Sequence, residues 1–345
     1  MYLTEQEIMN QHIALQKTYE YILSKKEETE AFFDKYSSRR FVIIGCGSSY
    51  MLAKSAQRLL AASKATAASA IAGGDYLIHS DFYEETIKDS IIITLSRSGQ
   101  TSEIVRSVKY IKEKYGNPII SLSMKTDNDI MPYSDLDLTM EWCYDMSVCQ
   151  TRTVTNLYTA ILMLTAIYNK DSIMLEAVKA AVDSNEEYKV HYRPLLRKLA
   201  EMDWDNAIVL ADGAVCGIGE EGALAFSEIS MITGKFFNLL DYRHGPIVLN
   251  DQRTLTVILV SPNDTTLQGD LVADIKSHGG VVVTVSNQKG NPYEVAANIC
   301  IEGIKTFDAM GIPFIYVMQM LAYEKALVLG TNPDAPTGLD AFITL

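Results

Sequence analysis

The sequence of 345 residues lacks any CxxC spacing, and its five cysteines are odd in number. A zinc site or the disulfide framework of a secreted protein is therefore disfavoured, and reduced thiols in a cytosol are the simpler interpretation. Long apolar runs are lacking too, because the most apolar stretch, residues 157–168, is shorter than the roughly 20 residues that cross a bilayer. We interpret this stretch as a buried helix and expect no membrane partner.

Positive charge is scarce as well. The 30 lysines and arginines are outnumbered by 43 aspartates and glutamates, which gives a formal net charge of −13. Such a balance argues against nucleic acid as a partner. Residues 1–30 are polar and charged, unlike a signal peptide, so we expect a cytoplasmic protein. A phosphorylated ligand of about −2 charge would need a local anion site to overcome the field of the whole protein.

Short apolar runs, polar turns and helical patterns alternate along the chain. In the first half the predicted strands and helices are a strand at 40–45, a helix at 51–60, a strand at 90–95, a helix at 102–115 and a strand at 118–122. In the second half they are a strand at 206–213, a helix at 218–233, a strand at 254–260, a helix at 267–278 and a strand at 279–285. This rhythm predicts parallel sheets covered by helices.

We therefore predict an α/β fold with two tandem domains, each a mostly parallel sheet flanked by helices. The predicted parts are an N-terminal helical segment at 1–37, a first domain at 38–170, a helical connector at 171–204, a second domain at 205–330 and a C-terminal tail at 331–345. Parallel strands with helical crossovers bind ligands at their carboxyl ends, where the polar turns lie.

The turn Ser96-Arg-Ser-Gly-Gln-Thr101 is the most informative of these. It follows a buried strand and opens a helix, so free backbone N–H groups and the helix dipole are expected to point at one spot. Ser96, Ser98 and Thr101 add hydroxyl donors, and Gly99 lets a ligand approach closely. This pattern predicts a phosphate site, and the alternative is an ordinary serine-rich N-cap.

Two other turns give weaker signals. In the second half, Ser261-Pro-Asn-Asp264 lacks one N–H and adds negative charge, so we predict one phosphate site per chain, in the first domain. Gly45-Cys-Gly-Ser-Ser49 lacks the third glycine of the dinucleotide fingerprint, which leaves an NAD enzyme as a third-ranked alternative. We interpret Ser49 as a further hydroxyl that faces the ligand, and we expect neither a metal nor a cofactor.

Five motifs follow one another after residue 38. They are Gly45-Cys-Gly-Ser-Ser49, Leu95-Ser-Arg-Ser-Gly-Gln-Thr101, Ser147-Val-Cys-Gln-Thr-Arg-Thr-Val-Thr155, Glu221-Gly-Ala-Leu-Ala-Phe-Ser-Glu-Ile-Ser230 and Tyr242-Arg-His-Gly-Pro246. In this order they resemble the sugar isomerase (SIS) superfamily, specifically its tandem-domain members related to the isomerase half of glucosamine-6-phosphate synthase. The resemblance implies a homodimer whose active site is completed by the partner chain. It also implies a set of residues that bind the sugar phosphate and its hydroxyls, namely Ser49, Ser96, Arg97, Ser98, Thr101, Val148 and Gln150.

The same resemblance implies two catalytic residues. Glu228 occupies the position of the carboxylate that moves a proton between sugar carbons 1 and 2, and His244 follows it by 16 residues, the spacing of the family. A general base needs a partly desolvated pocket, which Phe226, Ile229 and Met231 are expected to provide. Without the resemblance, a carboxylate on a solvated helix face and a structural histidine are the ordinary interpretations.

Two family lysines are missing from the sequence. Their positions correspond to Ala225 and to about Ala341 in the tail. The sequence has no glutaminase half, and it begins Met-Tyr instead of with a cysteine nucleophile, so we expect no glutamine-dependent synthesis. The remaining residues resemble two groups of relatives, the deglycases of 6-phosphorylated Amadori compounds and the galactosamine-6-phosphate deaminase/isomerases. The Asn-Pro-Asp sequence of the tail, at 332–334, slightly favours the deaminase/isomerases. Both alternatives stay open.

A non-catalytic sugar-phosphate sensor or regulatory protein is the main alternative from another class. Regulators of the transcription-factor type carry a helix-turn-helix domain ahead of one sugar-binding domain. About forty residues precede the first predicted strand and the chain is acidic, so DNA binding is disfavoured. A sensor would also not need Glu228 and His244 together.

Overall fold

The computed structural model describes residues 2–38, 40–63 and 66–340, which form ten strands and thirteen α-helices. The strands are β1 (Arg40–Gly45), β2 (Ala67–Ala72), β3 (Ile91–Ser96), β4 (Ile119–Ser123), β5 (Leu136–Thr139), β6 (Asn206–Leu210), β7 (Thr233–Phe237), β8 (Thr254–Leu259), β9 (Val281–Ser286) and β10 (Ala297–Cys300). The helices are α1 (Leu3–Met9), α2 (Gln11–Ser24), α3 (Lys26–Tyr36), α4 (Ser48–Ala61), α5 (Gly73–Ile78), α6 (Glu84–Ile87), α7 (Ser102–Tyr115), α8 (Arg152–Asn169), α9 (Ser172–Asp183), α10 (Asn185–Ala200), α11 (Cys216–Ile229), α12 (Thr265–His278) and α13 (Gly311–Leu329).

The strands form two five-stranded sheets of the same topology. The first has the order β2-β1-β3-β4-β5, and the second, read from the corresponding edge, has the order β7-β6-β8-β9-β10. All paired strands are parallel. Central strands such as β3 and β8 are buried along their whole length, as expected when helices cover both faces. The prediction of an α/β fold with two parallel sheets flanked by helices is confirmed, whereas their tandem-domain arrangement stays a prediction.

The chain divides into two compact units that are not contiguous in sequence. The first unit contains residues 13–146 and 152–175 with the first sheet, and the second contains 2–12, 147–151 and 176–339 with the second sheet. Two short segments therefore belong to the second unit although they lie far from it in sequence. Contacts thus group the chain differently from the linear boundaries 38–170 and 205–330, which remain predictions about domains.

Four strands were absent from the sequence-based expectation, and all four are edge strands. They are β2, β5, β7 and β10. The predicted helix at 218–233 is wrong at its end, because α11 stops at Ile229 and β7 begins at Thr233. Gly234 of β7 lies so close to this helix that an added Cβ would be 1.9 Å from the Ala223 carbonyl oxygen. The strand can pack there because this position has no side chain.

Two long helices are largely buried. Residues 157–168 lie in α8 and are buried up to Ile167, which confirms the prediction for this stretch. The longest apolar helix is a different one: residues 308–329 have the length and composition of a membrane span, and 83% of the qualifying window is buried. The sequence-based search for continuous apolar runs missed it because Gln319, Glu324 and Lys325 interrupt the run. Its burial is typical of the core helix of a globular protein.

Lys189 of α10 is buried among carbonyl groups at the end of α1. Its Nζ donates hydrogen bonds to the carbonyl oxygens of Ile8, at 3.2 Å, and Met9, at 2.7 Å. These carbonyls belong to the last turn of a helix, where a cation is favourable. Burial lowers the pKa of Lys189 to about 7.

This lowered pKa predicts a pH-dependent contribution to stability. Between pH 7 and the usual lysine pKa the unfolded chain binds more protons at this residue than the folded chain, so the contribution of Lys189 to stability rises with pH. Lys189→Met removes that rise. The free energy of unfolding of the wild type minus that of the variant should increase between pH 7 and 9 by up to about 1.4 kcal/mol per pH unit. Urea unfolding measures it, with the exposed Lys198→Met as the control, and a difference that stays constant with pH would contradict the prediction.

Candidate functional site

The candidate site lies where two neighbouring strands of the first sheet end. β1 and β3 pair in parallel with Ile44 opposite Thr94, so the turns that follow them leave the sheet at the same edge. From β1 the chain continues to β2 on one side, and from β3 it continues to β4 on the other. This is the topological switch point at which parallel α/β sheets bind ligands.

The turn after β3 is stabilised by its own serine hydroxyls. The Gly99 amide donates to Ser96 Oγ at 2.9 Å, and the Gln100 amide donates to Ser98 Oγ at 3.1 Å. These two amides are therefore not free for a ligand, which differs from the expectation of open backbone donors. Each serine oxygen accepts one bond, and its hydroxyl proton can still be donated outward. The turn thus offers hydroxyl groups in positions that its backbone fixes.

Thr101 stands at the N-cap position of α7, and its side chain does not cap the helix. Ser49 is the second residue of α4 and is buried. Both positions are at helix starts, where the backbone favours an anion. The structure therefore brings Ser49, Ser96, Ser98 and Thr101 to one edge of the first sheet, as the sequence predicted.

Gly99 and Asn128 fit together closely beneath this turn. Gly99 has a φ of +62°, and an added Cβ would lie 2.5 Å from the Cβ of Asn128. Asn128 is itself held because its Oδ1 accepts hydrogen bonds from the amides of Ile130 and Met131. No motif in the sequence indicates this contact, because Asn128 follows the next strand and belongs to none of the five motifs.

Gly45 has a similar role under the first turn. A Cβ at this position would lie 2.4 Å from the carbonyl carbon of Ser49, so α4 can start directly above the strand only over glycine. The neighbouring thiol is Cys46, and burial, with a smaller effect of Glu103, raises its pKa to about 11. It is protonated at neutral pH and cannot serve as a thiolate nucleophile.

Arg97 is buried within the turn, and its side chain extends towards an aromatic ring. Its guanidinium carbon lies 5.8 Å from the centre of the Tyr144 ring. The Arg97 carbonyl oxygen accepts the Met124 amide at 3.1 Å, which fixes the backbone between the two serines. A direct contact of Arg97 with a ligand stays a prediction.

Val148 and Gln150 lie in the segment 147–151 of the second unit. Burial alternates along this segment: the first, third and fifth residues are buried, and Val148 and Gln150 are partly exposed. The Oε1 atom of Gln150 is buried without a hydrogen-bond partner among the described residues. A buried acceptor of this kind needs a donor, and a ligand hydroxyl is one chemical solution.

Glu228 lies near the end of α11 and is partly exposed. Phe226 and Ile229 are fully buried in the core, and Met231 is 49% exposed. A partly desolvated pocket around Glu228 stays a prediction. The helix packs on β7, since a Cβ on Gly219 would lie 2.9 Å from the Phe236 ring.

His244 is exposed and follows the short 3-10 helix Leu240–Arg243. Tyr242 anchors this segment, because its ring is buried 5.4 Å from the Phe237 ring, centre to centre. Arg243 forms an ion pair with Asp274 of α12. The loop is thus held against α12, which agrees with the expected rigid loop.

The second sheet lies between Glu228 and His244 within one chain. Consecutive strand residues point to opposite faces, and Phe236 faces α11 whereas Phe237 faces Tyr242. Glu228 is on the α11 side, and the His244 segment covers the other side together with α12. The two residues therefore lie on opposite sides of the second sheet within one chain.

The equivalent turn after β8 is filled by its own side chains. Asp264 accepts the Leu267 amide at 3.2 Å, and Gln268 Oε1 accepts the Ser261 amide at 2.8 Å. The Gln268 amide nitrogen also donates to the carbonyl oxygens of Ser261 and Asn263. These contacts leave fewer hydrogen-bond donors available to an anion than there are in the turn after β3. Ala341, the position of the missing tail lysine, lies outside the described residues.

Together these features define an α/β protein with its candidate anion site at the switch point of a parallel sheet. Residues 36–167 match the family model of the SIS domain. This segment therefore matches the SIS domain, as the motifs predicted, and the chain is homologous to the isomerase domain of glucosamine-fructose-6-phosphate aminotransferase.

Three known proteins illustrate what the chain is similar to. It is 24% identical over 358 aligned residues to glutamine–fructose-6-phosphate aminotransferase (isomerizing) of Shewanella oneidensis, covering 98% of this chain and 58% of that protein. The structure of tagatose-6-phosphate ketose/aldose isomerase from Escherichia coli matches with a TM-score of 0.86 at 18% identity, over 99% of this chain and 95% of that one. Glucosamine-6-phosphate deaminase from Thermotoga maritima matches with a TM-score of 0.74 at 21% identity, over 95% and 100%.

The close fit of Gly99 against Asn128 yields a prediction. Gly99→Ala should displace the turn and lower the affinity for inorganic phosphate at least about tenfold, because overpacking of this kind costs roughly 1–3 kcal/mol. Gly116→Ala is the matched control, since its φ of +70° imposes the same backbone strain with nothing within 4 Å of the added Cβ. Isothermal titration calorimetry measures both variants, and equal phosphate affinities would contradict the predicted role of the turn.

Proposed function

We propose that the protein is a phosphosugar isomerase-type enzyme that acts on an amino-sugar 6-phosphate or a ketosamine 6-phosphate. It moves a proton between C1 and C2 and cleaves the bond to nitrogen, as a deaminase/isomerase or a deglycase, without glutaminase activity. The observation that carries the proposal is the turn after β3, where the oxygens of Ser96 and Ser98 accept backbone amides and their protons remain to be donated.

This geometry suits a phosphate ester in a protein of net charge −13. Hydroxyl donors and two helix starts bind an anion through dipoles and hydrogen bonds, without a cluster of cationic side chains. Ser49, Ser96, Ser98 and Thr101 hold the phosphate end in this proposal. Gln150, with its buried acceptor, and Val148 line the sugar end.

In the proposed reaction the carboxylate of Glu228 takes the proton from one of the two sugar carbons and returns it to the other. His244 donates a proton to the ring oxygen or to the departing amine, acting as the general acid. Water supplies the oxygen that replaces nitrogen, so the products are a hexose phosphate and ammonia or an amino acid. The relatives include an isomerase and a deaminase by name, which supports this class of chemistry.

The position of the second sheet between Glu228 and His244 supports a homodimer with shared sites. The two residues lie on opposite sides of the second sheet in one chain, so in this proposal a site that uses both takes one from each subunit. We propose a cytoplasmic homodimer on this ground and on the resemblance. A sugar-phosphate sensor is the second candidate. The separation of Glu228 from His244 would favour the sensor if the chain binds a sugar phosphate as a monomer.

The first prediction concerns binding. Ser98→Ala removes a hydroxyl donor and leaves the Gln100 amide without its acceptor, so the affinity for fructose 6-phosphate should fall by about 1–2 kcal/mol. Ser261→Ala, in the equivalent turn of the second unit, is the control and should bind as the wild type does. Unchanged affinity by calorimetry in Ser96→Ala, Ser98→Ala and Thr101→Ala alike would remove the phosphate site from the proposal.

The second prediction concerns catalysis by two chains. The substrate is first identified by screening amino-sugar and ketosamine 6-phosphates for release of ammonia, amino acid or hexose phosphate. Glu228→Gln and His244→Ala should each lower turnover at least about 10²-fold, the lower range for a positioned acid–base group. Substrate affinity should barely change, since the phosphate contacts lie in the first unit.

Mixing the two inactive variants then tests the shared site. If each site takes one residue from each chain, a mixed dimer contains one site with both residues intact and regains activity after subunit exchange. No recovery after exchange, verified by mass spectrometry of the mixed dimer, would contradict the two-chain arrangement. Near wild-type turnover of Glu228→Gln would contradict the catalytic role of Glu228, and a wild type that binds phosphosugars but turns over none of those screened would favour the sensor.

A further inference from the structure

Helix α1 has an unusual number of buried polar contacts for an element of seven residues. Glu7, near its end, is only 4% exposed. Its Oε1 atom accepts the Ser147 amide at 3.2 Å, and its Oε2 atom accepts the Ser147 hydroxyl. The Ser147 hydroxyl also lies 2.9 Å from the Cys149 carbonyl oxygen, so its one proton is shared between this oxygen and Glu7. One carboxylate therefore fixes both the main chain and the side chain of the first residue of segment 147–151.

The same segment is held at two further points within the second unit. The Val148 amide donates to the Asp334 carbonyl oxygen at 3.0 Å. The carboxylate of Asp334 in turn accepts the amides of Leu3 and Thr4, each at 2.8 Å, at the start of α1. Helix α1 and Asp334 thus form one hydrogen-bonded support along the buried side of the segment.

The far end of the segment is held by two glutamines. Gln319 Nε2 of α13 donates to the Thr151 carbonyl oxygen at 2.9 Å, and Gln11 Nε2 donates to Gln319 Oε1 at 2.6 Å. All these contacts involve the backbone or the buried residues 147, 149 and 151. Val148 and Gln150, which alternate with these residues, are partly exposed.

We propose that Glu7 is a positioning residue for the sugar specificity of the enzyme. Through Ser147 it sets the path of segment 147–151, and so the direction in which Gln150 and Val148 meet the sugar hydroxyls. The proposal rests on the proposed function, in which these two residues line the sugar end of the site. Because the phosphate contacts come from a different unit, Glu7 should affect recognition of the sugar and leave recognition of phosphate unchanged.

Two substitutions separate geometry from charge at this position. In Glu7→Gln the new Oε1 accepts the Ser147 amide, and the new Nε2 donates to the Ser147 oxygen, whose proton still reaches the Cys149 carbonyl. Both contacts with Ser147 are kept, so this variant should keep the segment in place. Glu7→Ala removes both of these contacts with Ser147. The control is Glu5→Ala, which breaks the contacts of α1 with Arg193 and Tyr323 and none with the segment.

Two measurements on the full chain test the proposal. Hydrogen exchange by mass spectrometry reports the protection of the amides at 147–151. Calorimetry gives the ratio of the affinities for fructose 6-phosphate and inorganic phosphate. In Glu7→Ala exchange should rise at least about tenfold, and the affinity ratio should fall about five- to tenfold, the equivalent of one lost hydrogen bond. Glu7→Gln and Glu5→Ala should stay within about twofold of the wild type in both measurements.

Three results would overturn the proposal. They are unchanged exchange in Glu7→Ala, a Glu7→Gln variant as defective as Glu7→Ala, and an equal defect in Glu5→Ala, which would indicate general loosening of α1. If the wild type does not bind fructose 6-phosphate at all, the ligand of the proposed function is wrong. The exchange measurement still decides the positioning role in that case, because it requires no ligand.

Discussion

The parallel pairing of β1 with β3 is the constraint on which the candidate site depends. With Ile44 opposite Thr94, the backbone hydrogen bonds fix how far each strand extends before its turn. A slip by one residue would reverse the faces of the buried side chains, so the register is strongly specified. The hydroxyls of two turns that are about fifty residues apart in sequence therefore come to the same edge. The second sheet repeats the pairing, but Gln268 and Asp264 occupy its turn, so the same topology provides an open turn only once.

The central strands could be predicted from the sequence because they are buried on both faces. Runs such as Ile91–Ser96 and Thr254–Leu259 consist of β-branched and apolar residues, and a parallel sheet covered by helices requires that composition. The edge strands have one neighbour and partly exposed faces, so β2 and β7 contain alanine, glycine and lysine and have no comparable signal. The predicted helix at 218–233 overlaps β7 only at Thr233, and the glycine of this strand, Gly234, is explained only by its contact with α11.

Only the residues of the candidate site that belong to sequence motifs could be predicted. The turn serines and Ser49 are local signals, and the structure places them at one edge of the first sheet. Asn128, Glu7 and Asp334 act through contacts with residues far away in sequence, and no local pattern marks such contacts. The separation of Glu228 from His244 by a sheet likewise required the strand order of the second unit. Sequence spacing shows that two residues are 16 apart, but it does not show on which faces they lie.

The discontinuous second unit has a consequence for how the chain is made. Among the described residues, α1 leaves the ribosome first, and the carboxylate that caps its start, Asp334, lies 331 residues after Leu3. The Leu3, Thr4 and Val148 amides must therefore do without this partner until Asp334 has been synthesised. The described residues of the first unit, apart from Asp340, are complete once Leu175 has emerged. The Asp334 contacts can thus form only late in synthesis, and chains that stop before Asp334 cannot complete this support.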